Sequence, residues 1–321
     1  MTESRPQRSP RPARSHEPVM LHEAIEGLAV HPGGTYVDAT VGLGGHAEAI
    51  IEAASPGGRL LGIDRDADAL AAAGERLASH GDAVVLTQGN FRDIAELCDE
   101  RGFTPVDGVL LDLGVSSLQL DAEGRGFSFQ RDEPLDMRMD QTEAISAHEI
   151  VNDYGQDELA TLIYEFGEER RSRAIARAIV QRRPIQTTGE LVSAVEQAVG
   201  RGRSRQIHPA TLTFQALRIA VNQEMDSLTE VLPAAHSLLG DAGSRIVVIA
   251  FHSLEDRIVK QYFRRESTDC VCPPRIPMCV CGHVATLRRV TKRVRKPSDA
   301  EVARNPRARS ARMRIVESLA A

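Results

Sequence analysis

The chain has 321 residues, 42% hydrophobic and 26% charged, with a net charge of -6, which is enough to bury a full core and has the balance of a globular protein. It contains no apolar run of about 18 residues, and the first fifteen residues carry arginines and prolines rather than an apolar segment, so neither a membrane span nor a secretory signal is supported and the cytoplasm is the expected compartment. Five cysteines in a chain of this size do not imply a disulfide framework.

Residues 1–15, with Arg5, Arg8, Arg11 and Arg14 among Pro6, Pro10 and Pro12, are expected to be a disordered basic tail. A helix is expected within 16–30, and strand and helix patterns then alternate to about Leu120. Strands are placed at 36–40, 59–64, 83–87 and 106–113. Runs such as Val109-Leu110-Leu111 lack alternation, as in strands covered on both faces of a parallel sheet. The fold class is therefore α/β, a doubly wound sheet.

The first strand ends in Asp38 and runs into Gly42-Leu43-Gly44-Gly45-His46, a turn where missing side chains let the backbone bend sharply beside a ligand. Gly42-x-Gly44-x-x-Ala47 also fits a dinucleotide fingerprint. Asp38 would repel a pyrophosphate, whereas S-adenosylmethionine has no phosphate and carries cationic groups that a nearby acid favours. Asp64 closes the second strand, 22 residues after Gly42, where an acid commonly bonds ribose hydroxyls. Phe91, after the third strand, is either a platform for an adenine ring or core packing.

Asp112 closes the fourth strand, where amino-methyltransferases place a polar group beside the target nitrogen. An exocyclic amine is a poor nucleophile because its lone pair is delocalised into the ring, and an acceptor holding its hydrogens frees that pair. The prolines and aromatic usual after this acid are replaced by Leu113, Gly114 and Val115, so either Phe127, Phe129 or Phe251 stacks on the base, or Asp112 touches only the cofactor or closes a structural turn.

From 122 to 225 helical spacing takes over, with Leu159, Leu162, Ile163 and Phe166 on one face and Phe214, Leu217, Val221 and Leu228 on another. The sheet resumes at 245–251 and closes with a strand at 311–317. His252 follows the fifth strand as a second candidate for chemistry, and Ser253 is expected to cap the next helix.

Arg170, Arg173 and Arg177, and Arg201, Arg203 and Arg205, read as solvated surface. From Thr286 to Arg314, eleven Lys or Arg face two acids, and Arg307, Arg309, Arg312 and Arg314 have no acid among them. Such a segment would bind phosphates, which makes nucleic acid the natural partner. Cys270, Cys272, Cys279 and Cys281 lie in two Cys-Val-Cys pairs rather than Cys-x-x-Cys knuckles, so the spacing favours reduced thiols over zinc, and no metal is expected.

Taken together, His16-Glu-Pro-Val-Met20, Asp38-Ala-Thr-Val-Gly-Leu-Gly-Gly-His46, Leu111-Asp-Leu-Gly-Val-Ser-Ser-Leu-Gln-Leu-Asp121, Gly126-Phe-Ser-Phe129, Ala250-Phe-His-Ser-Leu-Glu-Asp256 and Asn305-Pro-Arg-Ala-Arg-Ser310 resemble the RsmH family, also called MraW. The resemblance implies a Rossmann-like methyltransferase domain (16–121 and 226–321) interrupted by a helical substrate domain (122–225). It also implies S-adenosylmethionine contacts from Gly44, Gly45, His46, Asp64, Phe91, Asp112 and Gln119. The implied reaction is methylation of a cytidine N4 in the decoding centre (P site) of 16S rRNA, within the small ribosomal subunit or a late assembly form. Pairing into a homodimer stays open. Asp112 and His252 are the candidate catalytic residues. The rival readings are an NAD-linked oxidoreductase and an RNA-binding assembly factor that holds S-adenosylmethionine without turnover.

Overall fold

The structure, a computed structural model, describes residues 17–200, 208–273 and 278–319. The basic tail expected at 1–15 and the arginines 201, 203 and 205 lie outside the described residues. Among the described residues one sheet of seven strands forms: β1 (Thr35–Asp38), β2 (Arg59–Asp64), β3 (Val84–Gln88), β4 (Gly108–Asp112), β5 (Arg245–Ala250), β6 (Leu287–Arg289) and β7 (Arg312–Ser318). Their order is β3-β2-β1-β4-β5-β7-β6. The first five run parallel, β7 is antiparallel to β5, and β6 to β7.

Successive strand residues face opposite ways, so the apolar runs feed two cores. Val37, Leu61, Val109, Leu111 and Val248 pack against the helices Glu224–Leu238 and Ser253–Glu266. Tyr36, Leu60, Leu110, Val247 and Ile249 pack against Leu21–Leu28 and Gly45–Ala53 on the other face. At roughly 1.5–3 kcal/mol for each fully buried large side chain, this two-sided burial holds the strand ends in place. The chain leaves β1 in one direction through β2 and β3 and returns on its other side as β4. The order reverses there, and ligands of open α/β sheets lie at that crevice.

Helices between Ala147 and Asn222 bury a third core of their own, around Ile150, Leu159, Ile163, Ile175, Ile179, Leu191, Val195 and Leu217. Two expectations need correction. Residues 122–146 form no helix: Gly124 and Gly126 both take positive φ, and a side chain at Gly126 would meet the Pro134 carbonyl at 2.5 Å. The apolar face drawn through Phe214, Leu217, Val221 and Leu228 is broken. Gln223 takes φ 51 between the helices Thr211–Asn222 and Glu224–Leu238, and Leu228 turns to the sheet core. No helix among the described residues is long and apolar enough to cross a membrane.

Candidate active site

One cavity opens beyond the carboxyl ends of β1, β2, β4 and β5. Gly42, Gly45, His46, Asp64, Phe91, Asp112, Gln119, Phe251 and Glu255 all line it. Gly44 does not line it. Its φ of 77 turns the chain, and a side chain there would lie 3.3 Å from Leu77 and 3.4 Å from Ala73 of the helix Ala67–Leu77, so Gly44 permits the bend and the close approach of that helix. Gly45 faces Pro18, whose Cγ would stand 2.3 Å from an added Cβ, and Pro18 is itself a wall of the cavity.

The glycine turn is closed by its own protein. Gly42 N–H donates to Asp64 Oδ2 at 2.8 Å and Gly44 N–H to the Val41 carbonyl at 2.7 Å. Asp64 Oδ1 accepts from Asp66 N–H at 3.0 Å. These two glycine N–H groups are therefore bonded already, whereas a dinucleotide turn offers them to a pyrophosphate. Around them stand Asp64, Asp112, Glu224 and Glu255, with Arg65 and Arg307 at the lining as well.

Burial governs the acids. It pushes the Asp64 carboxyl up to about 6, although N–H donors from Asp66 and Gly42 pull the other way. Asp38 does not line the cavity. It is buried behind it, with Oδ1 accepting from Thr40 N–H at 3.2 Å and Oδ2 without a hydrogen bond, and burial pushes it up to about 7. Asp112 is raised well above the usual carboxylate range by burial first and then by the charges of Asp38 and Glu255. Its backbone N–H is fixed by Thr40 Oγ1 at 2.7 Å. Its Oδ1 is buried and unpartnered, and its Oδ2 lies 3.6 Å from His46 Nδ1. His46 Nε2 lies 3.0 Å from the Val19 carbonyl. A carbonyl only accepts, so Nε2 carries the proton there and Nδ1 is the ring nitrogen turned toward Asp112.

His252 does not line the cavity; it heads the helix Ser253–Glu266, accepting from Glu255 N–H at 3.4 Å. Its Nε2 lies 3.1 Å from Glu255 Oε1. Glu255 takes the inward place, with Oε2 accepting from Phe251 N–H at 2.8 Å and His252 N–H at 3.0 Å. Burial would raise its carboxyl, but His252 and Arg218 hold it below the usual range. Ser253 is not the cap: it is the first residue of the helix, and its hydroxyl donates to Glu168, which also pairs with Arg257 at 2.7 Å. Among the aromatic candidates, Phe251 lines the cavity, its ring 3.4 Å from where a Gly114 side chain would begin. Phe127 belongs to the helical core, and Phe129 stacks on His208 at 4.7 Å.

Arg125 was not singled out by sequence reasoning. It is 5% exposed and donates to Asp66 Oδ2 at 2.9 Å and to the carbonyls of Arg138 and Met139 at 3.1 Å. Gln119 Nε2 reaches the same Asp66 oxygen at 3.0 Å, while Gln119 Oε1 accepts from Ser116 N–H at 3.0 Å. Asn222 closes the wall behind Met139, accepting from its N–H at 2.8 Å and receiving Arg65 Nη1 on its own carbonyl at 2.7 Å. The one available signal was an arginine isolated between Gly124 and Gly126.

The basic carboxyl-terminal stretch is less free than its composition suggests. Arg304 pairs with Glu17 at 3.3 Å, Arg307 with Asp121 at 2.9 Å, Arg312 with Asp256 at 3.3 Å and Arg314 with Asp256 at 2.7 Å. The acids come from distant parts of the chain. Arg289, Lys292, Arg293, Lys296 and Arg309 stay exposed. Arg173 and Arg177, on the helix Ser172–Arg182, are exposed, as is Arg170 just before it.

Comparison with known proteins supplies a family. The model of the MraW methylase family matches residues 13–319. The chain is 55% identical over 297 residues to ribosomal RNA small subunit methyltransferase H of Dehalococcoides mccartyi, covering 92% of this chain and 84% of that protein. It is 50% identical over 303 residues to the protein of the same name in Symbiobacterium thermophilum, covering 93% and 95%. A solved SAM-dependent O-methyltransferase from Thermotoga maritima shares 11% identity and a TM-score of 0.40 over 94% of this chain and 65% of that one, a likeness too low to build on.

Proposed function

This chain belongs to the MraW methylase family, and we propose that it transfers a methyl group from S-adenosylmethionine to the exocyclic N4 of a cytidine in the decoding centre of 16S rRNA. The relatives named as small-subunit ribosomal RNA methyltransferases support the substrate class. The observation that carries the cofactor is the acid-lined cavity at the sheet's reversal, with the N–H groups of Gly42 and Gly44 already bonded to protein acceptors. Such a site favours a phosphate-free cationic ligand over a dinucleotide.

When bound, S-adenosylmethionine supplies an electrophilic methyl carbon. Gly45, His46, Asp64, Phe91, Asp112 and Gln119 would hold it, with Asp64 meeting ribose hydroxyls, Phe91 the adenine, and Gly44 shaping the turn behind. The chain's remaining task is to present a weakly nucleophilic amine in line, a problem of orientation and hydrogen bonding. Asp112, whose side chain is part-exposed at the cavity lining, accepts an N4 hydrogen and frees the lone pair. Phe251 provides the stacking surface that Leu113-Gly114-Val115 lacks. Glu255, turned inward where His252 is not, is placed to receive the proton that the methylated nitrogen sheds.

The inserted part (122–225), helical from Ala147, contributes Met139, Glu224 and Met225 to the cavity lining and is assigned to substrate recognition; Arg65 to Asn222 and Arg257 to Glu168 join it to the rest of the chain. The test is methyl transfer from labelled S-adenosylmethionine to small subunits isolated from cells lacking the protein. N4-methylcytidine is the expected product nucleoside; label at another atom, or none, would refute the assignment.

A further inference from the structure

The loop that leaves the helix Ser253–Glu266 brings four thiols together. Cys279 and Cys281 stand 3.5 Å apart sulfur to sulfur, Cys270 and Cys281 3.9 Å, and Cys272 and Cys279 4.0 Å. All four sulfurs lie within 4.8 Å of one another. A zinc ion bound at about 2.3 Å to four sulfurs makes a tetrahedron with edges of about 3.8 Å, and these three separations bracket that length. A disulfide instead requires about 2.05 Å, which none of these separations approaches.

The loop has little else to close it. Val271 is 43% exposed, Val284 67%, and Met278 and Val280 76% each, so among the described residues of the loop no apolar core draws the sulfurs inward. The backbone nevertheless turns toward them in two matching ways. Val271 N–H donates to Cys281 Sγ at 3.5 Å, and Val280 N–H to Cys272 Sγ at 3.4 Å. In each Cys-Val-Cys pair the central N–H thus serves the second sulfur of the opposite pair, the kind of outer hydrogen bond that supports a thiolate ligand. At the base, Ala285 N–H reaches Asp269 Oδ1 at 3.2 Å and His283 Nε2 lies 3.0 Å from the Arg265 carbonyl, so both ends of the loop are anchored.

The geometry points to a structural zinc site made by Cys270, Cys272, Cys279 and Cys281. Binding releases the thiol protons to solvent and changes no oxidation state. The intervening helix has 14 residues, about 21 Å of length, and its other end borders the cavity, so the ion clamps a projecting loop and takes no part in methyl transfer. Spacing alone had favoured plain thiols; convergence of the sulfurs reverses that preference.

The test uses the untagged full-length protein purified under reducing conditions without chelator. Elemental analysis should find about one zinc per chain, falling to background in the Cys272→Ser, Cys281→Ser variant while S-adenosylmethionine binding persists. If that variant does not fold, cobalt(II) loaded into the wild type decides: tetrahedral d–d bands with intense sulfur-to-cobalt charge transfer are expected. Wild-type protein that stays metal-free after incubation with zinc under reducing conditions, or that shows cobalt bands without sulfur charge transfer, would overturn the assignment.

Discussion

His46 Nδ1 stands 3.6 Å from Asp112 Oδ2, across the crevice between the glycine turn and the end of β4. The imidazole is oriented from behind by the Val19 carbonyl, so one carboxylate oxygen faces a ring nitrogen while the other is buried without a hydrogen-bond partner. Asp112→Asn keeps the shape and exchanges an acceptor for a donor at one oxygen. Loss of one positioned hydrogen-bonding group in a dry site costs about 10²–10³ in kcat. The same change should leave the S-adenosylmethionine Kd within about tenfold, because Asp64, Phe91 and the turn are untouched. Single-turnover rates and calorimetry separate the two, and equal loss of both would remove Asp112 from the chemical step.

Acids raised by burial set a pH dependence of known sign. Asp38 and Asp64, at about 7 and about 6 in the fold, hold protons that the unfolded chain has already released above its ordinary carboxylate range near 4. The native state binds more protons through that window, so these two groups make stability fall as pH rises from about 4 to about 7. Asp38→Asn, which fixes the side chain neutral, should raise Tm at pH 8 relative to wild type and change it little at pH 4. Thermal unfolding at both values checks this; equal shifts would contradict it. A cationic ligand favours the charged carboxylates, so S-adenosylmethionine binding near pH 6.5 should release protons, read as a binding enthalpy that depends on the buffer.

Gly45 and Pro18 define the clearance at the cavity wall. An added methyl at Gly45 would come within 2.3 Å of the proline ring, so Gly45→Ala should weaken cofactor binding about fivefold or more, on the order of the 1–3 kcal/mol that overpacking costs. Pro18→Ala should restore part of that loss. A double-mutant cycle with no coupling would show that the wall moves for another reason.

Arg125 and Asp66 are 6% and 3% exposed along their side chains, and their pairing joins the turn after β2 to residues 138 and 139. Breaking such a buried pair from one side costs about 3–5 kcal/mol. Arg125→Met should therefore lower stability by about that amount in denaturant titration and weaken S-adenosylmethionine binding, while an effect below about 1 kcal/mol would mean that Asp66 finds another partner.

The strands were legible because both faces of the sheet are covered, leaving uninterrupted runs such as Leu60-Leu61 and Val109-Leu110-Leu111. Residues at their carboxyl ends could be gathered into one crevice from order alone. β6 was missed: Leu287-Arg288-Arg289 is three residues long and mostly charged, and only pairing with β7 makes it a strand. Gln223 was missed because apolar spacing runs through the break, and a left-handed residue leaves no mark in that pattern. The pairing of Arg307 with Asp121 and of Arg314 with Asp256 spans 186 and 58 positions, so local charge counts could not see it. His252 and Ser253 are adjacent, and which of them caps the helix depends on Glu255 and Glu168, one of them 85 positions away.

Those long-range ion pairs change what the basic stretch can do for RNA. Arg289→Ala and Arg309→Ala remove exposed charges, and each that meets a phosphate should reduce the slope of log K against log salt by about 1. Arg314→Ala removes a charge already held by Asp256 and should lower Tm with the slope unchanged. Filter binding to small subunits across a salt series distinguishes the two groups, and a reduced slope for Arg314→Ala would return it to the RNA surface.

The most direct test of the central claim is nucleoside-resolved mass mapping of 16S rRNA from cells lacking the protein and supplied with either the wild-type chain or Asp112→Ala. The wild type should restore one methyl on a cytidine N4, and Asp112→Ala should not, with folding checked by thermal unfolding and S-adenosylmethionine binding by calorimetry. An unchanged set of methylated cytidines in all three strains would contradict it.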